Sequence, residues 1–293
     1  MVFPIALLAF VSLGLPDGVL GVAWPSMRDS FARPLSDLGL LLAAAMSGYL
    51  VSTFTSGPLV ARTGIGRLLL WSSLVMVVSS LGYATAGVWP MALVAGVLAG
   101  LGAGAIDASI NAFAAARFPA SQVTWLHASY GVGAMLGPLL MTGVLAGGLS
   151  WRWGYAAIGA LLSLMSLGFA LTLALWASAA APGRAAEEED ARRPGRAPFV
   201  ETLRRPRVWT NVLQFFVYTG LEVTAGQWTY SLFTEGRGAA PGVAGVWVAV
   251  YWASLTLGRI VSGVLARRVP APANSGSWGS PSSASRSRRS FRS

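Results

Sequence analysis

The sequence contains no cysteine and a single histidine, His127. Without cysteine the chain can form neither a disulfide bond nor a thiolate metal site, and one histidine cannot make a histidine metal cluster. The sequence also contains no nucleotide-binding glycine loop and no nucleophile with a partnered base. We therefore expect a protein without a metal or a cofactor, and we expect it not to be an enzyme.

Charged residues are also scarce. They make up 11% of the chain, whereas hydrophobic residues make up 54%. An average soluble domain carries roughly 25% charged residues, so a water-soluble protein of this length would lack the polar surface that it needs. The composition therefore predicts an all-α polytopic membrane protein that lies in a lipid bilayer.

Eight apolar stretches are long enough to cross a bilayer, which takes about 20 helical residues. The first has neither a basic start nor a small-residue cleavage site, so we interpret it as a membrane span and not as a signal peptide. The predicted spans are residues 3–26, 37–60, 67–87, 89–115, 124–147, 152–177, 208–233 and 242–266.

The basic residues, all of them arginine, are unevenly distributed between the loops. If the N-terminus is cytoplasmic, the outer loops hold only Arg28, Arg33, Arg152 and Arg237. The inner loops then hold Arg62, Arg67, Arg117, Arg184, Arg192, Arg193, Arg196, Arg204, Arg205, Arg207, Arg267 and Arg268. This asymmetry predicts a cytoplasmic N-terminus in the cell (inner) membrane. It also explains the net charge of +10 without a nucleic-acid partner.

The chain divides into four parts. We predict a six-span N-terminal bundle over residues 1–178, a cytoplasmic linker over 179–207, and two further spans over 208–268. Residues 269–293 are rich in serine and arginine, a composition that is typical of disordered segments.

Two of these parts resemble each other. The end of the second span, Ser56–Arg62, is similar to the end of the eighth, Ser262–Arg268, and nearly the same offset places Asp17 on Glu222. Both segments follow an even number of spans, as parallel repeats of two-halved transporters do. Six spans followed by only two predict a chain truncated after the eighth span. A genuine eight-span protein with a basic tail is the alternative.

A loop after the second span points to a family. Residues 57–67 read GPLVARTGIGR, which resembles the cytoplasmic signature loop of the major facilitator superfamily. The resemblance implies that Gly57, Arg62, Gly64 and Arg67 help to close the cytoplasmic gate. Residue 61 is alanine where the family has aspartate, so we expect a weaker latch. The implied fold is a major facilitator-type helical bundle, with a complete six-helix N-terminal half and two helices of the second half.

Four further segments resemble the fucose permease-like group of sugar–proton symporters within that superfamily. They read LPDGVLG at 15–21, GAIDASIN at 104–111, HASYGVG at 127–133 with Gly137-Pro138, and YTGLE at 218–222 with Trp228. In the symporters that these segments resemble, carboxylates of the first and fourth spans bind the proton and the substrate.

Three carboxylates interrupt the predicted spans: Asp17, Asp107 and Glu222. A charge at the centre of a bilayer costs at least about 2.5–3.5 kcal/mol, so such residues are functional candidates. A carboxylate in an apolar cavity can bind and release a proton near neutral pH. We predict all three as proton-coupling residues, with a paired structural role as the alternative. Pro16 and Gly18 flank Asp17 and predict a bent or opened helix that lines a cavity.

Aromatic and amide side chains near these carboxylates could bind a sugar, because rings stack on its C–H faces and amides bind its hydroxyls. The predicted substrate-binding residues are Trp24, Asn111, His127, Tyr130, Gln227 and Trp228. For the tryptophans the alternative is an interfacial aromatic belt. For His127 the alternatives are a proton relay and a structural hydrogen bond.

Small residues recur on one helical face in the fourth span, at Gly96, Gly100 and Gly104, which predicts close helix packing. In the fifth span Gly133, Gly137 and Pro138 resemble part of an antiporter motif of the same superfamily. We favour packing for them as well, although the fragment leaves proton-driven efflux as an alternative function.

Taken together, the sequence predicts a monomeric secondary active transporter that moves a small polar solute, such as a sugar, with protons by alternating access. The alternatives are drug or metabolite efflux by proton antiport, and a non-transporting fragment or solute sensor. Because spans 7 and 8 would lack the helices that the superfamily packs against them, we expect the chain by itself not to transport.

Overall fold

The structure is a computed structural model that describes residues 2–180, 201 and 203–266. Within these residues it consists of helices, with no strand. The helices are α1 (Val2–Asp17), α2 (Val19–Phe31), α3 (Leu38–Thr63), α4 (Ile65–Thr85), α5 (Trp89–Arg117), α6 (Ala120–Ala146), α7 (Trp151–Leu171), α8 (Leu173–Ala180), α9 (Pro206–Ser231) and α10 (Pro241–Ala266). A 3₁₀ turn (Leu35–Asp37) precedes α3, and a π turn (Leu232–Gly236) follows α9. The predicted all-α polytopic fold is confirmed.

The first predicted span is split in two. α1 ends at Asp17 and α2 begins at Val19, so that Gly18 interrupts the helix midway across the span. The proline at position 16 cannot donate an amide hydrogen to the helix, and this weakens the turn at that point. The bend predicted from Pro16 and Gly18 is confirmed.

Seven helical segments in the described part of the chain are long and apolar enough to cross a membrane, with α1 and α2 counted together. The seventh predicted span, residues 208–233, is the exception. It forms the 26-residue helix α9, but polar residues such as Thr210, Asn211 and Gln214 lower its hydropathy. The predicted linker and tail fall almost entirely outside the described residues.

Glycines bring α3 and α5 into backbone contact inside the first half. A Cβ atom on Gly100 would lie 1.8 Å from the Ala45 carbonyl oxygen, and one on Gly104 would lie 2.4 Å from the Tyr49 carbonyl oxygen. The predicted packing role of this glycine face is confirmed. Gly133 and Gly137 of α6 meet the backbone of α1 in the same way, so close packing accounts for this glycine pair.

The second half is joined to the first along α6 and α10 by two reciprocal contacts. Gly131 of α6 faces Thr256 of α10, and Gly245 of α10 faces Thr142 of α6. Each threonine hydroxyl donates to the carbonyl of its own helix four residues earlier, at 2.7 Å from Thr142 and 2.8 Å from Thr256. Because these hydroxyls are satisfied locally, the two helices can pack closely without a hydrogen bond between them.

A second junction lies between α2 and the C-terminal part of α9. A Cβ atom on Gly21 would lie 2.5 Å from the Gln227 carbonyl oxygen. Beyond it, Arg28 forms an ion pair of 2.9 Å with Glu235 in the π turn. Residues 210–218 of α9, by contrast, are exposed. The two halves therefore meet on α9 near the end of the bundle that carries Arg28.

A candidate site at the boundary between the two halves

Asp17 lies where the first span breaks, and residues of both halves bind it. The hydroxyl of Tyr130, on α6, donates to its carboxylate. The Gln227 side-chain amide, on α9, donates to its backbone carbonyl at 2.5 Å. A helix interruption leaves carbonyl groups without their helical partners, so Gln227 satisfies a group that the Gly18 break has freed.

Asp107 lies on α5 and is held by residues of the first half. The Tyr49 hydroxyl donates to one carboxylate oxygen at 2.5 Å. The Asn111 amide donates to the other at 2.7 Å and to the Asp107 backbone carbonyl at 3.0 Å. The spacing of four residues places Asn111 on the same face of α5, as predicted. Both hydrogen-bond donors to this carboxylate are uncharged side chains.

Glu222 is the only one of the three predicted carboxylates for which the described residues record an ion pair. Its Oε1 atom lies 2.6 Å from Nη2 of Arg259, on α10, and the Tyr251 hydroxyl donates to its backbone carbonyl at 2.9 Å. The Glu222 side chain is 11% exposed and the Arg259 side chain 31% exposed. A guanidinium beside a mostly buried carboxylate balances its charge.

The sequence analysis missed Arg259. It lies inside the eighth predicted span, seven residues before the end of α10 at Ala266, where arginine is rare and usually paired. An arginine in an apolar stretch is the signal that could have revealed it. The orientation was predicted from the arginines of the loops, and Arg259 lies in none of these loops.

The three predicted carboxylates converge in the folded chain. Asp17 lies within electrostatic range of both Glu222 and Asp107. The Arg259 guanidinium faces the ring of Tyr130, with its Cζ atom 5.9 Å from the ring centroid. Residues from α1, α6, α9 and α10 are therefore in contact on the boundary between the halves, and Asp107 of α5 lies within electrostatic range of Asp17.

Trp252 is a second residue that the sequence did not single out. Its ring packs against Gly226 and reaches Gly18 at the helix break, and it meets the Tyr130 ring edge-on at 6.5 Å. The indole Nε1 atom of Trp252 and Oε1 of Gln227 are both buried, without a hydrogen-bond partner among the described residues. Buried polar atoms normally have a partner, so these two atoms are available to a bound molecule.

Not every predicted substrate-binding residue faces the boundary between the halves around Asp17. Trp24 is completely buried; its indole donates to the Leu35 carbonyl at 3.1 Å and its ring packs against Trp89. It therefore packs within the first half, and a contact of Trp24 with a solute stays a prediction. Trp228 is partly buried against the core. The His127 imidazole is exposed and meets the Phe10 ring edge-on at 5.4 Å.

The predicted gate loop connects α3 to α4. Gly64 has φ +80°, a conformation that favours glycine, and it lets the chain turn directly from one helix into the next. Gly57 and Gly64 line a cavity of about 390 Å³ between α3 and α5. Arg62 and Arg67 are exposed beside it. Whether this loop closes a gate stays a prediction.

No group of three or more histidine, aspartate or glutamate side chains in the described ranges could hold a metal ion. Two of the three central carboxylates have tyrosine donors and the third has an arginine. The groups recorded at this site are thus carboxylates, phenol hydroxyls and a guanidinium, joined by hydrogen bonds and one ion pair.

Two curated proteins are similar to this chain, and one of them is named as a transporter. It is 22% identical over 283 residues to Bypass of stop codon protein 6 of Saccharomyces cerevisiae, covering 89% of this chain and 56% of the yeast protein. It is 21% identical over 265 residues to Glucose/mannose transporter GlcP of Bacillus subtilis, covering 89% of this chain and 65% of that transporter. The chain thus spans less than two thirds of the length of either relative.

A solved structure shows the same fold. The crystal structure of a D-xylose-proton symporter superposes with a TM-score of 0.66 at 14% sequence identity, over 91% of this chain and 69% of the symporter. The sequence profile described as Major Facilitator Superfamily matches residues 6–280. The predicted superfamily is confirmed, whereas the fucose permease-like subgroup stays a prediction. The chain belongs to the Major Facilitator Superfamily, whose members are membrane transporters and not enzymes.

Proposed function

We propose that this chain serves proton-coupled symport of a small polar solute, such as a sugar, by alternating access of the two halves. The observation that carries the proposal is the convergence of three carboxylates and one arginine where the halves meet. Charged groups inside a membrane are costly, and they mark ion and proton pathways.

Asp17 and Asp107 are the proton-coupling residues in this proposal. Each carboxylate accepts hydrogen bonds from uncharged side chains, Tyr130 for Asp17 and Tyr49 with Asn111 for Asp107. Either can therefore take up a proton without leaving a buried cation uncompensated. The sequence also predicted Glu222 as proton-coupling, but protonation of Glu222 would leave Arg259 without its counter-ion. We assign Glu222 to charge balance at the site.

In the proposed solute site Tyr130, Gln227 and Trp252 lie around Asp17 and Asn111 lies beside Asp107, whereas His127 and Trp228 keep the role predicted from the sequence without a recorded contact to either carboxylate. The site uses the predicted residues Asn111, His127, Tyr130, Gln227 and Trp228 and adds Trp252. The unpaired Gln227 Oε1 and Trp252 Nε1 atoms offer one acceptor and one donor to a solute hydroxyl. The glucose/mannose transporter and the D-xylose-proton symporter among the similar proteins support a sugar. We propose the cell membrane as the location, with a cytoplasmic N-terminus and a monomeric protein.

This proposal departs from the expectation, drawn from the sequence, that the chain by itself does not transport, and uptake into proteoliposomes tests both. The purified chain is reconstituted, a proton gradient is imposed, and uptake of radiolabelled D-glucose, D-mannose and D-xylose is measured. We expect Asp17→Asn and Asp107→Asn each to lower proton-driven uptake at least ~100-fold, the lower end for a positioned proton-transfer group. Asp29→Asn is the matched control, because the Asp29 side chain is 77% exposed.

Binding of the same sugars, measured by calorimetry, separates the alternatives. Binding with proton uptake but without transport would favour the solute sensor or non-transporting fragment that the sequence also suggested. Uptake that stays proton-dependent after both aspartates are neutralised would refute the assignment of the proton sites. Absence of both uptake and binding for all three sugars would refute the solute class.

A further inference from the structure

The charged groups at the boundary form a connected series. Glu222 holds Arg259 at 2.6 Å, Arg259 faces the Tyr130 ring, and the Tyr130 hydroxyl donates to Asp17. Glu222 and Arg259 belong to the second half, whereas Tyr130 and Asp17 belong to the first. The series therefore passes from one half to the other through the contact of Arg259 with Tyr130.

From this geometry we infer that Arg259 is a positioning residue, which holds Tyr130 so that its hydroxyl stays directed at the Asp17 carboxylate. The inference rests on the proposed function, since it concerns the proton site at Asp17. A guanidinium that faces an aromatic ring attracts the ring electrostatically. The Glu222 ion pair fixes the guanidinium in turn, because a planar guanidinium beside a carboxylate has few alternative orientations.

The position of Tyr130 matters because its hydrogen bond distinguishes the two charge states of Asp17. An ionised carboxylate accepts a phenol hydrogen bond more strongly than a neutral carboxyl group does. Holding Tyr130 in place therefore favours ionised Asp17. Through Arg259, the second half influences proton binding in the first without touching the carboxylate itself.

Other ionisable groups surround both ends of this series. Glu222 and Asp107 act on Asp17 electrostatically, besides Tyr130. Around Arg259 lie Glu222 and the phenol of Tyr218, as well as the Tyr130 ring. Arg259 also acts electrostatically on Tyr251 and His127. A test must therefore separate an effect that passes through Tyr130 from a direct effect of the charge of Arg259.

Infrared difference spectroscopy makes this separation without a known solute. The purified full chain is titrated with acid, and the carboxyl C=O band that disappears in Asp17→Asn is assigned to protonated Asp17. In Arg259→Gln we expect the pH profile of this band to move up by about 1 pH unit, the lower end of a neighbouring-charge effect. Arg259→Lys, which keeps a cation near the ring, should restore part of the difference.

The decisive comparison is between Arg259→Gln alone and Arg259→Gln combined with Tyr130→Phe, which removes the tyrosine hydroxyl. If Arg259 acts by positioning Tyr130, then Arg259→Gln causes no further displacement of the profile in the Tyr130→Phe background. An equal displacement with and without the Tyr130 hydroxyl would overturn the inference, as would no displacement in Arg259→Gln alone. Glu222→Gln/Arg259→Gln keeps the pair neutral should the single variant fail to fold, and we expect an upward displacement smaller than in Arg259→Gln, because the repulsion between Glu222 and ionised Asp17 is also removed.

Arg237→Gln is the control, because Arg237 is exposed outside the helices; a displacement of the Asp17 band in this variant would show that any loss of positive charge suffices and would also overturn the inference. The spectroscopic result does not depend on transport. Loss of sugar uptake in proteoliposomes with an intact Arg259 effect would contradict the proposed function alone.

Discussion

The two halves of this chain hold their buried carboxylates in different ways. In the first half, Asp107 accepts hydrogen bonds from the uncharged side chains of Tyr49 and Asn111. In the second half, Glu222 faces the cation Arg259. A carboxylate held by neutral donors can change its charge with little disturbance to its neighbours, whereas one held by a cation cannot. Asp17 combines features of both cases. Its donor, the Tyr130 hydroxyl, is uncharged, and the Arg259 guanidinium faces the ring of that tyrosine.

Neutralising each carboxylate in turn should test this difference most directly. Glu222→Gln leaves Arg259 uncompensated, and we expect a loss of about 3–5 kcal/mol in the free energy of unfolding. Asp107→Asn removes one hydrogen bond between a neutral donor and the carboxylate and should cost about 1 kcal/mol. Unfolding of the purified protein by denaturant in detergent measures both. Equal losses would show that the two carboxylates are held alike.

Packing inside the first half and packing between the halves should also differ. Gly100→Ala forces a methyl group against the Ala45 backbone, whereas Gly131→Ala meets the Thr256 side chain, including its Cβ at 2.7 Å, so that relief needs α10 to shift as well as the threonine to rotate. We expect Gly100→Ala to cost about 1–3 kcal/mol and Gly131→Ala to cost less. The same denaturation experiment ranks them, with Gly39→Ala as control because its Cβ position is open. A larger loss in Gly131→Ala would contradict the ranking.

The smallest effect is expected at the ion pair that joins the two halves, between Arg28 and Glu235. Arg28 and Glu235 are 25% and 32% exposed at their side chains, and partly exposed pairs contribute about 0–1 kcal/mol. Arg28→Gln should therefore change the free energy of unfolding by less than about 1 kcal/mol. A loss comparable with that of Glu222→Gln would contradict this ranking and would mean that the Arg28–Glu235 pair is as important to stability as the less exposed Glu222–Arg259 pair.

The sequence was sufficient to predict features that depend on neighbouring residues. Apolar runs predicted the helices, and the spacing of Asp107 and Asn111 predicted their shared face. Proline and glycine around Asp17 predicted the helix break. Each of these follows from the periodicity of a helix or from backbone chemistry within a few residues.

Partners that are distant in sequence could not be predicted in this way. Tyr49 is 58 residues from Asp107, and Tyr130 is 113 residues from Asp17. Nothing local to either tyrosine marks it as the donor to that carboxylate. For Trp24 the apolar context suggested either a pocket or a belt, and only the tertiary fold placed it in the interior. Arg259, by contrast, could have been found from its position in an apolar stretch.

The reciprocal glycine–threonine contacts of α6 and α10 have a geometrical consequence. On each helix the glycine and the threonine are separated by three turns, about 16 Å at 1.5 Å per residue, so the two contact points lie far apart along the seam. If one helix tilted about either point, the other contact would open. If instead one helix rolled about the common axis, both contacts could remain closed. Both contacts can therefore persist together only in a rotation about an axis that runs parallel to the two helices.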